Sequence, residues 1–328
     1  MTAPVRIEST APGKVVLWGE YAVLHGAPAL VMAVNRYARC RLSATADSAW
    51  RCRSEGFTAA GETITRSRLL ESSPPPPAAC WALLWHVVRH LQAFPDGGEA
   101  TFDTAGFHAE GRKLGLGSSA ALCVAVYGAA CGLLGRRPEP SAAFDIHHRL
   151  QGGKGSGIDV AAAWHGGLLR FRRGAEPVPA AEPWSLPAGL ELRFVWTGTS
   201  ASTGAHLGRL GTWLDAADGI ELRDLAQASA ALFDAAALPD ALAHYVDALR
   251  ALDRAAALGI FSPAHDHLHR LAIDTGVVYK PCGAGGGDIG AAFTDDADAA
   301  DRFVARARQA GYLPLALETA SHGLEVTG

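Results

Sequence analysis

Lys113–Leu122, KLGLGSSAAL, sets two glycines and two serines directly before the apolar run CVAVYGAACGLL, Cys123–Leu134. A serine can cap a helix and a glycine permits a tight turn into one. Capping accounts for one of each. The density of GLGSS goes further, because it exposes consecutive backbone N–H groups, unshielded by bulky side chains, where the helix dipole is positive. Such a place suits an anion. Phosphate is the usual occupant, held by N–H groups and by serine hydroxyls that also reach a metal ion. On these residues alone, phosphate binding and plain capping both stay open.

The helix that follows belongs to a core. Ala120–Leu134 is shorter than the ~20 residues a bilayer span requires and is interrupted by glycines. The whole chain has 328 residues, 49% hydrophobic and 19% charged, which predicts two domains with a sizeable core and argues against wholesale disorder. A net charge of −4 gives no electrostatic footprint for nucleic acid or an anionic membrane. Cys40, Cys52, Cys80, Cys123, Cys131 and Cys282 form neither a CxxC pair nor a zinc-spaced cluster, so they read as buried free thiols. MTAPVRIEST lacks a basic segment followed by an apolar run; no secretory signal is visible, and a reducing cytoplasm is the expected setting.

VRIEST, ARCRLSATA and EATFDTA read as strands of an N-terminal sheet, with a helix over about 78–92 before the third. ESSPPPP ahead of that helix reads as a stiff surface connection, and SAAFDIHHRLQ as a helix capped by Ser141. Between Gly174 and Gly189, four prolines in sixteen residues argue against regular structure and place a domain boundary, giving domains 1–185 and 186–328. The second domain opens with the strand ELRFVWTG. It continues through a helical region over about 205–258, broken near Gly219 and Pro239, and returns to strand at IGAAFT and LPLALE. Strands separated by paired helices predict an α+β sandwich.

Three further segments carry chemistry. APGKVVLWGEYAVLHGAPAL puts Lys14 after a Pro-Gly turn at the head of an apolar strand, with Glu20 and Tyr21 at its far end. YKPCGAGGGDIGAAF has five glycines between Gly283 and Gly290. Ordering so many glycines costs roughly 0.5–1 kcal/mol each relative to Ala, so ligand contact or unusual backbone angles should justify the run; a flexible linker is the alternative. In HHRLQGGKGSGIDVAAAWHGGLLRF, Asp159 follows a glycine-rich loop and precedes small residues, which seats its carboxylate at a helix start either as a simple first-turn residue or as a reactive group.

PGKVVLWGEYAVL, GLGSSAA and GAGGGD, in this order and at these distances, resemble the motifs of the GHMP kinase superfamily over nearly the whole chain, from Ala11 to Phe293. Within it, KLGLGSSA, LQGGKGSGIDVAAAWHGGLLRFRR and GAGGGDIG look most like the phosphomevalonate kinase branch. The resemblance implies an α+β, two-domain GHMP kinase fold, with an N-terminal ribosomal-protein-S5-like domain and a C-terminal ferredoxin-like α/β sandwich. It implies an ATP-dependent, magnesium-using kinase of small molecules in isoprenoid biosynthesis.

By the same resemblance Lys113, Gly115, Leu116, Gly117, Ser118, Ser119 and Ala120 bind ATP. Ser119 meets Mg²⁺, and Ser118 caps the helix or bonds a phosphate. Asp159 orients or deprotonates the attacking oxygen, with Lys14 as its partner. Glu20, Tyr21, Lys154, Ser156, Gly285, Gly286, Gly287 and Asp288 fall on the acceptor side, the glycines closing over the site from the second domain. Lys154, Lys280 and Arg149 are candidates for an acceptor phosphate. One departure stands out: mevalonate kinases carry a metal-binding glutamate eleven residues before the catalytic aspartate, where this chain has His148, a poor magnesium ligand.

The chain has no GxxxxGK[ST] and no HRD or DFG set, and a Rossmann site is disfavoured because GLGSSA supplies no third glycine at the required spacing and no matching acidic residue follows a second strand. The expected partner is a small hydroxylated or phosphorylated acid, with no nucleic acid and no membrane, in a monomer or homodimer. The alternatives are a mevalonate kinase, a decarboxylase of the diphosphomevalonate type, and a non-catalytic metabolite sensor on the same fold.

Overall fold

The computed structural model describes residues 5–55, 63–71, 76, 79–153, 155–174, 176, 178–201 and 203–328. A long antiparallel pair, β1 (Arg6–Trp18) and β2 (Ala29–Thr45), forms the spine of a first sheet. Along β2 the six residues Ala29–Val34 are all buried, whereas Ala38, Cys40 and Leu42 point inward between more accessible neighbours. One strand thus changes from covered on both faces to half-solvated. Next come β3 (Trp50–Glu55), β4 (Thr63–Ile64), α1 (Arg66–Leu70), α2 (Ala79–Leu91), β5 (Gly97–Asp103) and the small hairpin β6 (His108–Ala109) and β7 (Arg112–Lys113).

Then follow α3 (Ser118–Leu133), α4 (Pro140–Leu150), α5 (Ile158–His165), β8 (Leu168–Arg172) and β9 (Ala180–Pro183). The first sheet runs β14-β1-β2-β5-β3-β4, β14 being Glu325–Thr327; β8 lies beside the first half of β2, with β9 beyond it. Pairing is antiparallel except between β3 and β5. The second sheet, β11-β12-β10-β13, is antiparallel throughout and consists of β10 (Glu191–Trp196), β11 (Val278–Pro281), β12 (Ile289–Thr294) and β13 (Leu313–Leu315). Against it pack α9 (Pro263–Ile273) and α10 (Ala297–Gln309), while α6 (Thr203–Leu214), α7 (Ile220–Ala231) and α8 (Leu238–Ala256) lead into them. The α+β class is as expected, and the chain's last strand returns to the first sheet, pairing Glu8 with Thr327.

α3 is apolar all round and packs on β1 and β2 at the centre of the first unit, with every residue from Ala120 to Cys131 buried. Its small residues answer to close neighbours: a Cβ on Gly128 would lie 2.7 Å from Leu324 Cδ1, and one on Gly132 2.9 Å from Ile7 Cγ2.

Several local expectations are corrected. Ser118 is the first residue of α3 rather than its cap; that place belongs to Gly117, in the left-handed conformation at φ 77°. Ser141 does not cap α4 either, because Pro140, preorganised for the first helical turn, takes the start and moves the cap to Glu139. The proline-rich stretch holds a strand after all: among the described residues β9 pairs only with β8 and so is an edge strand, where Pro183 removes no ladder hydrogen bond that a second neighbour needs. The helical stretch over 205–258 is three helices, broken as expected near Gly219 and Pro239. Cys40, Cys52, Cys123, Cys131 and Cys282 are buried free thiols. The side chain of Cys80, and residues 72–75 and 77 of the proline run, lie outside what is described.

Candidate active site

The site begins where β1 meets the loop before α3. The β1–β2 register shifts between Pro12 and Gly13, and Lys14, still paired with Ala33, donates its N–H to the Leu116 carbonyl at 2.8 Å. In that loop Leu114 and Leu116 are buried as anchors, while Gly115 and Gly117, both at φ 77°, turn their backbone outward. The left-handed backbone favours glycine at both places, and at Gly115 steric overlap adds to it. A Cβ on Gly117 would stand 3.1 Å from Lys14 Cγ, and one on Gly115 would overlap the carboxyl of Asp288. With a glycine cap and no side-chain cap hydrogen bond, the first-turn N–H groups of α3 stay available beside the half-buried Ser118 and the exposed Ser119.

Asp159 comes from the start of α5, whose cap is again a left-handed glycine, Gly157 at φ 82°. Ile158 and Val160 are buried on either side, so the carboxylate is held facing out of the core; its Oδ1 accepts the Val160 N–H at 3.1 Å. Lys14 and Asp159 line one cavity of about 190 Å³, together with Ser156, Glu20, Tyr21 and the apolar Val16 and Leu24. Its far wall belongs to the second unit: Leu207, Gly283 and Ala284.

The glycine run behaves differently from expectation. Gly285, Gly286 and Gly287 do not line the cavity; a Cβ on each would run into Ile260 Cγ2 (2.5 Å), His206 Nε2 (2.7 Å) and the Thr199 carbonyl (2.8 Å), so they pack within the second unit. Contact with the cavity falls instead to Gly283 and Ala284. Buried His265 supports the loop from behind, its Nε2 donating to the Gly287 carbonyl at 2.9 Å and its Nδ1 accepting the Tyr279 hydroxyl at 2.8 Å. Asp288, at φ 56°, lies against Gly115 in the loop before α3. Burial raises its carboxyl above the ordinary range, opposed by the Ala201 N–H and the charges of Lys14 and His206.

Two basic candidates do not line this cavity. Lys280 is fully buried and pairs with Glu20 Oε1 at 2.5 Å, because a charge inside the junction needs a partner. Arg149 pairs with Asp145 at 2.8 Å and does not line the cavity. Lys154 lies outside the described residues. His148 lines a neighbouring cavity of about 370 Å³ that shares Gln151, Gly155 and Ser156 with the first. Among the described residues no group of three or more His, Cys, Asp or Glu side chains forms a metal cradle, and no helix is long and apolar enough to cross a membrane. Sequence reasoning missed Tyr245, whose hydroxyl donates to Glu20 Oε2 at 2.7 Å from the middle of α8. No local motif marks it; its neighbours in sequence show only helical periodicity.

Residues 83–167 match the family described as GHMP kinases N terminal domain. A phosphomevalonate kinase of a Streptomyces species is 30% identical to this chain, covering 96% of it and 97% of the relative. A mevalonate kinase of Thermococcus gammatolerans is 28% identical over 61% of this chain and 60% of its own length. Among solved structures, Streptococcus pneumoniae phosphomevalonate kinase in complex with phosphomevalonate and AMPPNP superposes with a TM-score of 0.75 at 18% identity, over 96% of this chain and 99% of that one.

Proposed function

This chain belongs to the GHMP kinase family, and within it we propose a phosphomevalonate kinase, which transfers the γ-phosphoryl group of ATP to the phosphate of phosphomevalonate. That it is a phosphotransferase of the mevalonate pathway follows from its family and its named relatives. The choice of acceptor rests on one observation, made on sequence: the match to the phosphomevalonate kinase spans 96% of the chain, including the second unit that walls the cavity, whereas the sequence match to the mevalonate kinase covers 61%. His148 in place of a carboxylate agrees with it.

Phosphoryl transfer needs alignment and charge compensation more than covalent help. The N–H groups from Gly117 to Ala120, with the hydroxyls of Ser118 and Ser119, hold the triphosphate at the positive end of α3. Lys14 offsets charge on the group in transit. Asp159 fixes the attacking oxygen; a phosphomonoester has its second pKa near ~6, so its oxygen is largely ionised at neutral pH and the carboxylate acts chiefly by orientation. The Ser119 hydroxyl, exposed at the start of α3, would be the protein's ligand to a magnesium ion, which prefers oxygen donors and would supply compensation of phosphate charge.

The test is ADP release with ATP, Mg²⁺ and, separately, phosphomevalonate, mevalonate, homoserine or galactose. The proposal expects turnover with phosphomevalonate and no CO₂. Turnover of mevalonate with silence on phosphomevalonate would reassign the acceptor while leaving the family intact.

A further inference from the structure

Glu20 and Tyr21 line the cavity, yet the polar atoms of both are engaged by protein. Glu20 Oε1 accepts Lys280 Nζ at 2.5 Å and the Gly283 N–H at 3.3 Å. Its Oε2 accepts the Tyr245 hydroxyl, whose oxygen in turn accepts the Gly19 N–H at 2.8 Å. The Tyr21 hydroxyl donates to the carbonyl of Ala284, the very next residue after Gly283. Tyr21 is buried and sits at φ 62°, a backbone region that non-glycine residues rarely adopt and that the surroundings must impose. Two consecutive side chains at the end of β1 therefore grip one dipeptide of the second unit, at the N–H of its first residue and the C=O of its second. That dipeptide faces Lys14: Nζ lies 3.9 Å from where a Cβ on Gly283 would stand.

We propose that Glu20 and Tyr21 form a two-point clamp on Gly283–Ala284, fixing the second unit's wall of the cavity against Lys14, and that they are positioning residues rather than acceptor contacts. This rests on the reading of the Lys14–Asp159 cavity as the reaction centre. A carboxylate with both oxygens occupied has little left for an anionic acceptor, and a buried ion pair spanning the two units is better suited to holding a geometry than to adding stability. The strain at Tyr21 points the same way, since its only described side-chain hydrogen bond is the one that reaches across the junction.

The experiment uses the full chain as Tyr21→Phe, Glu20→Gln and the double variant. Steady-state kinetics are measured with ATP, Mg²⁺ and whichever of phosphomevalonate or mevalonate the wild type turns over, and amide deuterium exchange is followed over 282–288 and over α3. Each single variant should lower kcat about tenfold with ATP KM unchanged. The double should be no more than about twofold below the weaker single, because both changes release the same dipeptide. In Tyr21→Phe, exchange at 283–285 should quicken about tenfold while α3 keeps its protection. Wild-type kcat and exchange in Tyr21→Phe would overturn the clamp, as would losses that multiply in the double, or a rise in acceptor KM with kcat intact. If Glu20→Gln does not fold, Tyr21→Phe, which keeps the buried ring, decides alone. Normal turnover by Asp159→Asn would sink the site reading instead, and the exchange measurement stands apart from the acceptor's identity.

Discussion

Gly115 carries two constraints at once: a φ of 77° and the Asp288 carboxyl where its Cβ would be. Gly115→Ala should therefore cost about 1–3 kcal/mol of stability in urea unfolding and raise the ATP KM, because the loop or Asp288 must shift. A glycine followed by a serine pair announced this loop in the sequence, since amides bare of side chains leave a compositional trace. Its steric partner did not show, because Asp288 arrives from the other unit and no local pattern ties the two. His265 illustrates a second kind of invisibility: one histidine among 13 looks like any other until burial singles it out. Burial brings its imidazole down to about 4. The unfolded chain, with a histidine pKa near ~6.5, binds the proton first as pH falls, so stability present above that value is lost on the way down towards 4. Through this one group the protein should lose about 2 kcal/mol between pH 7 and pH 5, read as the wild-type change minus that of His265→Gln.

Among the elements, α3 shows what sequence can and cannot give. Its existence and burial were legible, because an apolar run with no polar face has nowhere to go but the core. The reason for its glycines was not, since it lies in the close approach of Leu324, Ile7 and Val326 from both chain ends. Gly128→Val should thus destabilise by about 1–3 kcal/mol in urea unfolding, through overpacking, while leaving both KM values in place. The strand β9 went unseen for a related reason. Proline density argues against a central strand, but an edge strand tolerates it, and only the pairing with β8 reveals which one is present.

Across the whole molecule, the cavity exists because two units meet. Lys14 and Asp159 come from the first and Gly283 and Ala284 from the second, and the buried Glu20–Lys280 pair joins them. The motifs were readable one by one, each from its own composition. How the third motif takes part was not: the glycines that looked like a lid pack inside their own unit, and the contact passes to the two residues at the loop's start. Aromatic packing reinforces the junction, with Phe233 of the second unit edge-on to Trp18 and Trp184 of the first. Lys280, which as a sequence letter could serve an anionic substrate, is instead the fully buried half of an internal pair. Everything functional in this account requires that the carboxylate at the start of α5 face the phosphate-binding end of α3. The direct measurement is ADP formation by wild type and Asp159→Asn with ATP, Mg²⁺ and phosphomevalonate. The account predicts acceptor-dependent turnover that falls about 100-fold or more in the variant, with its thermal midpoint unchanged. Equal rates for the two proteins would contradict it.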